Sequence, residues 1–362
     1  MRVFVVSSSS NDPATRDKLR AVAGLGAEIV VATPNGEAGT DRPLRVVPVP
    51  VKGAPEEPDE LRWNERTLTK LLSELRPDLI HVEESSTSSL VDSVSTIADK
   101  LELPFVLMSW EQPADSPPGL LVRRRAEKAV GRAAGLIGGN RRAEVLLLER
   151  ASEGVPSTVI PQHGIAIPPT ARVPATGRLR IGFVGRLVPE RGLDVLIRAL
   201  AQTYGEWELA VLGTGPEQER GEALAARHGL AARIRWLGGV RREPLEALLD
   251  ELDTLVVPSR ETPSFIEIHS VVVLDAMARS VVPVVSKAGA LPDLVGAAGR
   301  VATEPSELSA LLQPWVDAPE RCRALGPAAR QRVLEHFVTA QIAARTLEFW
   351  RAVGANRAAA TT

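Results

Sequence analysis

Within the segment GFVGRLVPERG, Arg186 closes an apolar run and Arg191 stands five residues later, just before a helical pattern begins. Two guanidiniums and the free backbone N–H groups of a helix start suit a diphosphate, through charge-assisted hydrogen bonds and the helix dipole. Gly185 beside them lets the backbone approach a ligand closely. A pair of exposed arginines on a solvated turn is the plainer alternative. Farther on, SFIEIHSVVVLDAMA carries Glu267 on an approach loop and Asp275 eight positions later. If Ser270 caps a helix that turns Val271, Leu274 and Ala278 inward, that separation is a little over two turns at about 3.6 residues each. Both carboxylates could then face one crevice and suit the hydroxyl groups of a sugar or ribose. The alternative is a loop carboxylate and a solvated helix residue.

Other polar clusters carry less. AVLGTGPEQERG has a G-x-G without a third glycine and no G-K-[ST], so it fits neither the dinucleotide fingerprint nor a P-loop. It reads as a strand ending in a tight turn. The basic run RRRAEKAVGR, Arg123 to Arg132, sits on a helix after LLV. It is either a solvated face or a weak peripheral contact with anionic lipid. No Ser-His-Asp order, HExxH or CxxC is present.

The elements that must position these residues alternate between strand and helix. RVFVVS, AEIVVAT, PDLIHVE and PFVLMSW are apolar runs that read as buried strands. Helical spacing is expected over 12–24, 59–75 and 91–101, with a Pro/Gly-punctuated stretch over 34–58. After a proline-rich loop at 167–176 the pattern restarts with LRIGFVG, WELAVLG, IRWLGG, TLVVPS and VVPVVS. Helices are expected near 192–202, 217–227, 244–252 and 270–278, then on to about 353. Such alternation predicts two α/β domains with parallel sheets and right-handed crossovers, joined near 166–178. Ligands of open α/β sheets bind beyond the carboxyl ends of strands. Four such ends carry polar or glycine residues: Gly185-Arg186, Gly213-Thr214-Gly215, Gly238-Gly239 and Pro258-Ser259-Arg260.

Composition narrows the classes. The chain has 362 residues, 44% hydrophobic and 24% charged, which is globular and argues for two domains. Forty-three basic against 45 acidic side chains give no electrostatic reason to expect nucleic acid. A single cysteine, Cys322, excludes an internal disulfide and a thiolate zinc cluster, and five scattered histidines make a metal site unexpected. No apolar run approaches the roughly 18 residues of a membrane span, and the opening run is too short for a signal peptide. The expectation is a cytoplasmic protein.

In order and spacing, GFVGRLVPERG, AVLGTGPE, IRWLGGV, the Glu-x7-Asp element followed by AMA, and ALPDLVGAAG resemble the retaining glycosyltransferases of family four. The likeness spans about 178–345, including RQRVLEHFVTAQIA. It is looser over the first half, where RPDLIHVE, LPFVLMSWEQP and VIPQHGI still fit. The resemblance implies a GT-B fold, two Rossmann-like domains facing across a cleft. They would cover 1–166 on the acceptor side and 167–338 on the nucleotide-sugar side, with 339–362 as a helix and tail crossing back onto the first domain.

The same resemblance implies the roles. Arg186 and Arg191, with Gly185, would hold the diphosphate of a nucleotide sugar. Glu267 would contact the donor sugar and Asp275 the ribose hydroxyls. Backbone N–H groups of His269, Ser270 and Val271 would meet the distal phosphate, and Val240 would border the base. Trp110 and Glu111 would line the acceptor side. Transfer would proceed with retention and without metal or further cofactor, because basic groups and a helix terminus offset the leaving charge. Where the family has lysine, Phe-Gly and a second glutamate, this chain has Arg191, His269-Ser270 and Asp275. Ser280 replaces a glycine common after AMA, and SSSSNDP replaces a Gly-Gly loop. These differences motivate an alternative, a catalytically impaired relative that binds nucleotide or supports a partner glycosyltransferase. A nucleotide-sugar epimerase on the same architecture is a third reading.

Overall fold

The computed structural model describes residues 1–35, 39–53, 61–110, 119–168, 177–263 and 265–360. It divides into two compact units, one formed by 1–164 with 339–362 and the other by 165–338.

The first unit opens with β1 (Arg2–Ser7), α1 (Asp17–Gly24), β2 (Glu28–Pro34), β3 (Gly39–Asp41), β4 (Leu44–Val49), β5 (Val51–Lys52) and β6 (Arg62–Trp63). It continues through α2 (Glu65–Leu75), β7 (Leu79–Glu83), α3 (Ser89–Lys100), β8 (Phe105–Ser109) and α4 (Leu120–Val130). It ends with β9 (Gly135–Gly138), α5 (Arg141–Leu148) and β10 (Ser157–Val159). Eight strands form one sheet in the order β10-β9-β8-β7-β1-β2-β4-β3, parallel except for β3. Val3 to Val6 are wholly buried because helices cover both faces, which is why β1 is a continuous apolar run.

The second unit contains β11 (Leu179–Val184), α6 (Leu193–Leu200), β12 (Trp207–Leu212), α7 (Gln218–Arg227), β13 (Ile234–Trp236) and α8 (Arg242–Glu251). Then come β14 (Thr254–Val257), α9 (Val271–Ala278), β15 (Val282–Val285), α10 (Leu291–Val295) and β16 (Arg300–Val301). Helices α11 (Pro305–Asp317), α12 (Pro319–Arg323) and α13 (Gly326–His336) close it. Its sheet is wholly parallel, in the order β13-β12-β11-β14-β15-β16. The final helix, α14 (Thr339–Ala360), packs on α1 in the first unit, burying Ile342, Leu347, Trp350 and Val353.

Several expected elements shift. The helix expected over 12–24 begins only at Asp17, after two 3-10 turns, the second opened by Pro13. The helix expected over 59–75 begins at Glu65, where the Asn64 side chain accepts from Thr67 N–H; β6 lies just before it. The stretch over 34–58 contains β4, a true strand despite Pro48. Ser270 occupies the cap position of α9 without a side-chain capping bond, and Val271 is exposed rather than inward, while Leu274 and Ala278 are buried.

Candidate functional site

Strand order in the second unit reverses at β11: β12 and β13 lie on one side, β14 and β15 on the other. Beyond the carboxyl ends of two strands running to opposite sides, backbone and side chains leave a crevice, the usual ligand position of such sheets. The loop after β11 carries Gly185, Arg186 and Arg191, and the loop after β14 carries Ser259, Phe265 and Glu267.

The β11 loop is held from two sides. Leu187 N–H donates to the Thr214 carbonyl at 2.9 Å and its own carbonyl accepts from Glu217 N–H at 2.9 Å. Gly213 N–H donates to the Gly238 carbonyl at 2.6 Å, so the glycine-rich ends of β11, β12 and β13 interlock. A 3-10 turn, Pro189–Arg191, then leads into α6 through Gly192. Gly192 has φ +70°, and a Cβ there would lie 2.0 Å from the Pro258 carbonyl oxygen. Only glycine permits that approach of the β11 loop to the β14 loop. Arg260 fastens the junction: its guanidinium forks onto Asp194 at 2.9 and 2.8 Å, and its backbone N–H donates to the Glu190 carbonyl at 2.7 Å. Burial raises the Asp194 pKa, but the hydrogen bonds and charge of Arg260 outweigh it and hold the carboxyl below its ordinary range.

Arg191 and Glu267 meet across this junction. Arg191 Nη1 donates to Glu267 Oε1, and Ser259 Oγ donates to the same oxygen at 2.8 Å. The Arg191 guanidinium lies over the Phe265 ring, 4.8 Å from its centroid. The Glu267 side chain is 6% exposed and that of Arg191 22%, so the pair is walled in but reachable from the cationic end. Arg191 Nε is buried and makes no hydrogen bond, which leaves a donor unused. Gly289 fixes Glu267 from behind: it has φ +52°, and a Cβ there would fall 2.0 Å from the Glu267 carbonyl oxygen.

The other expected residues divide. Gly185 sits against the Arg191 side chain, with 3.8 Å between an added Cβ and Arg191 Cδ. Arg186 is exposed and has no ion-pair partner among the described residues. Ser270 is buried, His269 half-buried, and Val271 and Val240 exposed near the starts of α9 and α8. Asp275 is half-buried on α9. Burial raises its pKa, Arg279 and Arg242 oppose that, and Glu246 adds to it. Glu267 and Asp275 therefore have different neighbours and share no partner among the described residues. Trp110 is half-buried after β8, with Gly139 beside it, and Glu111 lies outside the described residues.

Nothing in the sequence assigns a role to Ser259 or Phe265, although Pro258-Ser259-Arg260 reads as a strand end. Nor does it signal a buried group in the first unit. There Lys18 Nζ donates to Glu83 Oε1, His81 Nε2 is 3.0 Å from the same oxygen, and Trp350 Nε1 donates to His81 Nδ1 at 3.2 Å. Because Nδ1 accepts, the neutral imidazole carries its proton on Nε2 and donates it to Glu83. Burial lowers the His81 pKa, partly opposed by Glu83. Burial raises that of Glu83, but Lys18 and His81 more than reverse this and hold it well below the usual carboxylate range.

Residues 171–332 match the family model of glycosyl transferases group 1, and residues 12–163 match the glycosyl transferase 4-like domain. Among curated proteins, the chain is 31% identical over 196 residues to an MMP alpha-(1->4)-mannosyltransferase of Mycolicibacterium hassiacum, covering 51% of this chain and 46% of that protein. It is also 31% identical over 193 residues to a glycogen synthase of Mycobacterium tuberculosis, covering 51% and 45%. The matches thus span about half the length of these relatives. Among solved structures, Anabaena HepE in complex with UDP and glucose superposes with a TM-score of 0.69 at 18% identity, covering 97% of this chain and 100% of that one. The lipopolysaccharide outer core galactosyltransferase WaaB superposes with a TM-score of 0.72 at 14% identity and the same coverage. The chain is an α/β protein of GT-B fold, its first part matching a glycosyl transferase 4-like domain and its second part the glycosyl transferases group 1 model.

Proposed function

We propose that this protein moves a sugar from a nucleotide-diphosphate donor to an acceptor, with retention at the anomeric carbon and without a metal ion. The observation that carries the reading is the Arg191–Glu267–Ser259 cluster beyond β11 and β14, where the sheet reverses. Arg186 and Arg191 hold the diphosphate, and their charge offsets the negative charge that builds on the leaving group. Donor binding draws Arg191 away from Glu267, and the freed carboxylate accepts hydrogen bonds from the sugar hydroxyls. Gly185 lets the phosphates approach the backbone, and His269, Ser270 and Val271 present N–H groups at the start of α9. Val240 borders the base. Asp275 has no side-chain ion pair among the described residues, and it accepts from the ribose diol, directly or through water. The first domain holds the acceptor, with Trp110 and Glu111 on that side. HepE holding UDP and glucose, and relatives named for mannosyl transfer and glycogen synthesis, support a hexose donor.

The test begins with melting curves in UDP, GDP, ADP and TDP, followed by donor consumption with candidate sugars. A nucleotide at 100 times its Kd stabilises the fold by about 2.7 kcal/mol. Arg186→Ala is expected to weaken nucleotide binding roughly ten- to hundredfold, the worth of a charged hydrogen bond. Glu267→Ala is expected to cut transfer about 100-fold or more with little effect on nucleotide affinity. Absence of a shift with every nucleotide defeats the reading. A shift without transfer for any acceptor points instead to a nucleotide-binding relative that supports a partner enzyme.

A further inference from the structure

Helix α4 begins with three exposed apolar residues. Leu120 is 64% exposed, Leu121 73% and Val122 39%, and only Tyr204 among the described large apolar residues is more exposed than Leu121. The others do not adjoin one another in sequence, and single exposed apolar residues are ordinary on any surface. A contiguous run is not. The residues of α4 that are buried, Ala126, Ala129 and Val130, all lie in its second half, so among the described residues no packing requires leucine at its start.

Arg123, Arg124 and Arg125 follow at once, and all three are exposed. The first turn contains no acidic residue, and between 120 and 132 Glu127 alone opposes five basic side chains, pairing with Arg123 at 2.8 Å. Such a surface has two demands: a low-dielectric medium for the apolar run and a high density of negative charge immediately beside it. An acidic protein partner meets the second more readily than the first. The interface of an anionic bilayer meets both, with acyl chains a few ångströms beneath the phosphates. Arginine fits that boundary because its stem lies along apolar surface while its guanidinium reaches outward. Among the described residues no helix is long and apolar enough to cross a membrane, so the contact is peripheral.

We propose that the start of α4 docks onto an anionic phospholipid bilayer. Leu120, Leu121 and Val122 enter the headgroup–acyl boundary, and Arg123, Arg124 and Arg125 meet the lipid phosphates. This does not depend on glycosyl transfer and is tested without it. The full chain is sedimented with vesicles of phosphatidylcholine and phosphatidylglycerol in equal parts, and with vesicles of phosphatidylcholine alone. Binding is expected only to the anionic vesicles and is expected to fall as salt rises. L120S/L121S and R123E/R124E/R125E are each expected to bind at least about tenfold less. Their melting curves should match the parent's, because all five side chains are exposed. Three results would overturn the proposal: no binding of the parent to anionic vesicles, equal binding to neutral vesicles, or unchanged binding by both folded variants. Self-association lost in L120S/L121S, without vesicle binding, would assign the surface to a second copy instead and overturn it as well.

Discussion

The two sheets place the same kind of ion pair at the same topological position and treat it in opposite ways. Each sheet reverses beside its first strand, β1 next to β7 in one unit and β11 next to β14 in the other. Each brings a cation from the first strand's following segment to a carboxylate at or after the second strand's carboxyl end, Lys18 to Glu83 and Arg191 to Glu267. Lys18 and Glu83 are 3% and 5% exposed and sealed by His81, Met108 and Trp350. Arg191 is 22% exposed, keeps one buried donor unused, and rests on an aromatic face rather than beneath a helix. Under the proposed function, position at a switch point does not by itself make a ligand site. An ion pair becomes one when its partners can exchange each other for something from solution, and α14 removes that option in the first unit.

The largest expected difference between the two pairs comes from removing each cation. Lys18→Met leaves Glu83 buried with the imidazole N–H as its remaining partner among the described residues, and the expected loss is about 3–5 kcal/mol, read from chemical denaturation. Arg191→Met leaves the buried Glu267 carboxylate with the Ser259 hydroxyl as a donor, and because Arg191 itself is partly exposed the expected loss is smaller, about 1–3 kcal/mol. Equal losses would show that both pairs are structural.

The next effect is a pH dependence centred on the first unit, which Asp275 of the second unit, its pKa raised by burial, opposes. Burial lowers the folded pKa of His81 below its unfolded value of about 6.5. Below that pH the unfolded chain binds a proton that the native chain does not, so stability falls as pH drops from about 6.5. The expected slope approaches 1.4 kcal/mol per pH unit for this group, until the folded pKa is reached. His163, also lowered by burial, adds to the slope in the same direction. Glu83 acts separately and at lower pH: its stabilisation holds above the ordinary carboxylate range and is lost on acidification below it. A stability profile that is level from pH 6.5 to pH 5 would mean that His81 is not held as a buried neutral imidazole.

What was legible in the sequence follows the physics of each region. β1 and β14 announce themselves because strands buried on both faces are near-continuous apolar runs, and β7 and β11 keep enough of that pattern despite His81, Glu83 and Arg180. β4 does not, because Pro48 and the exposed Arg45 break its pattern; the proline is accommodated near one margin of the sheet, where only β3 lies outside it. β9, with the sequence GLIG, is too short and glycine-rich to signal a strand. Arg191 and Glu267 could each be singled out by type, but they are 76 residues apart and become partners only because β11 lies next to β14. The group around Glu83 was invisible for a related reason. A lysine on a short helix reads as solvated, and Lys18 is enclosed by elements as distant in sequence as α14, whose Trp350 lies 269 residues from His81.

The smallest effect sharpens the account of Arg191. Phe265 gives the guanidinium a polarisable surface without competing for its N–H donors, so the side chain is held in place but not consumed. Phe265→Leu keeps an apolar residue and removes the ring quadrupole. The expected stability change is only about 0.5–1 kcal/mol, the worth of a partly exposed cation–π contact. Nucleotide affinity is expected to fall by a factor of roughly two to five, because Arg191 must then be ordered on binding. Glu267→Gln makes the contrasting change: it weakens the Arg191 contact without touching the platform, so nucleotide affinity is expected to hold or rise slightly while transfer falls. If Phe265→Leu raised affinity instead, the ring would be restraining Arg191 in its bond to Glu267 rather than presenting it to the diphosphate. Isothermal titration of both variants with the nucleotide that shifts the melting curve decides between these two roles.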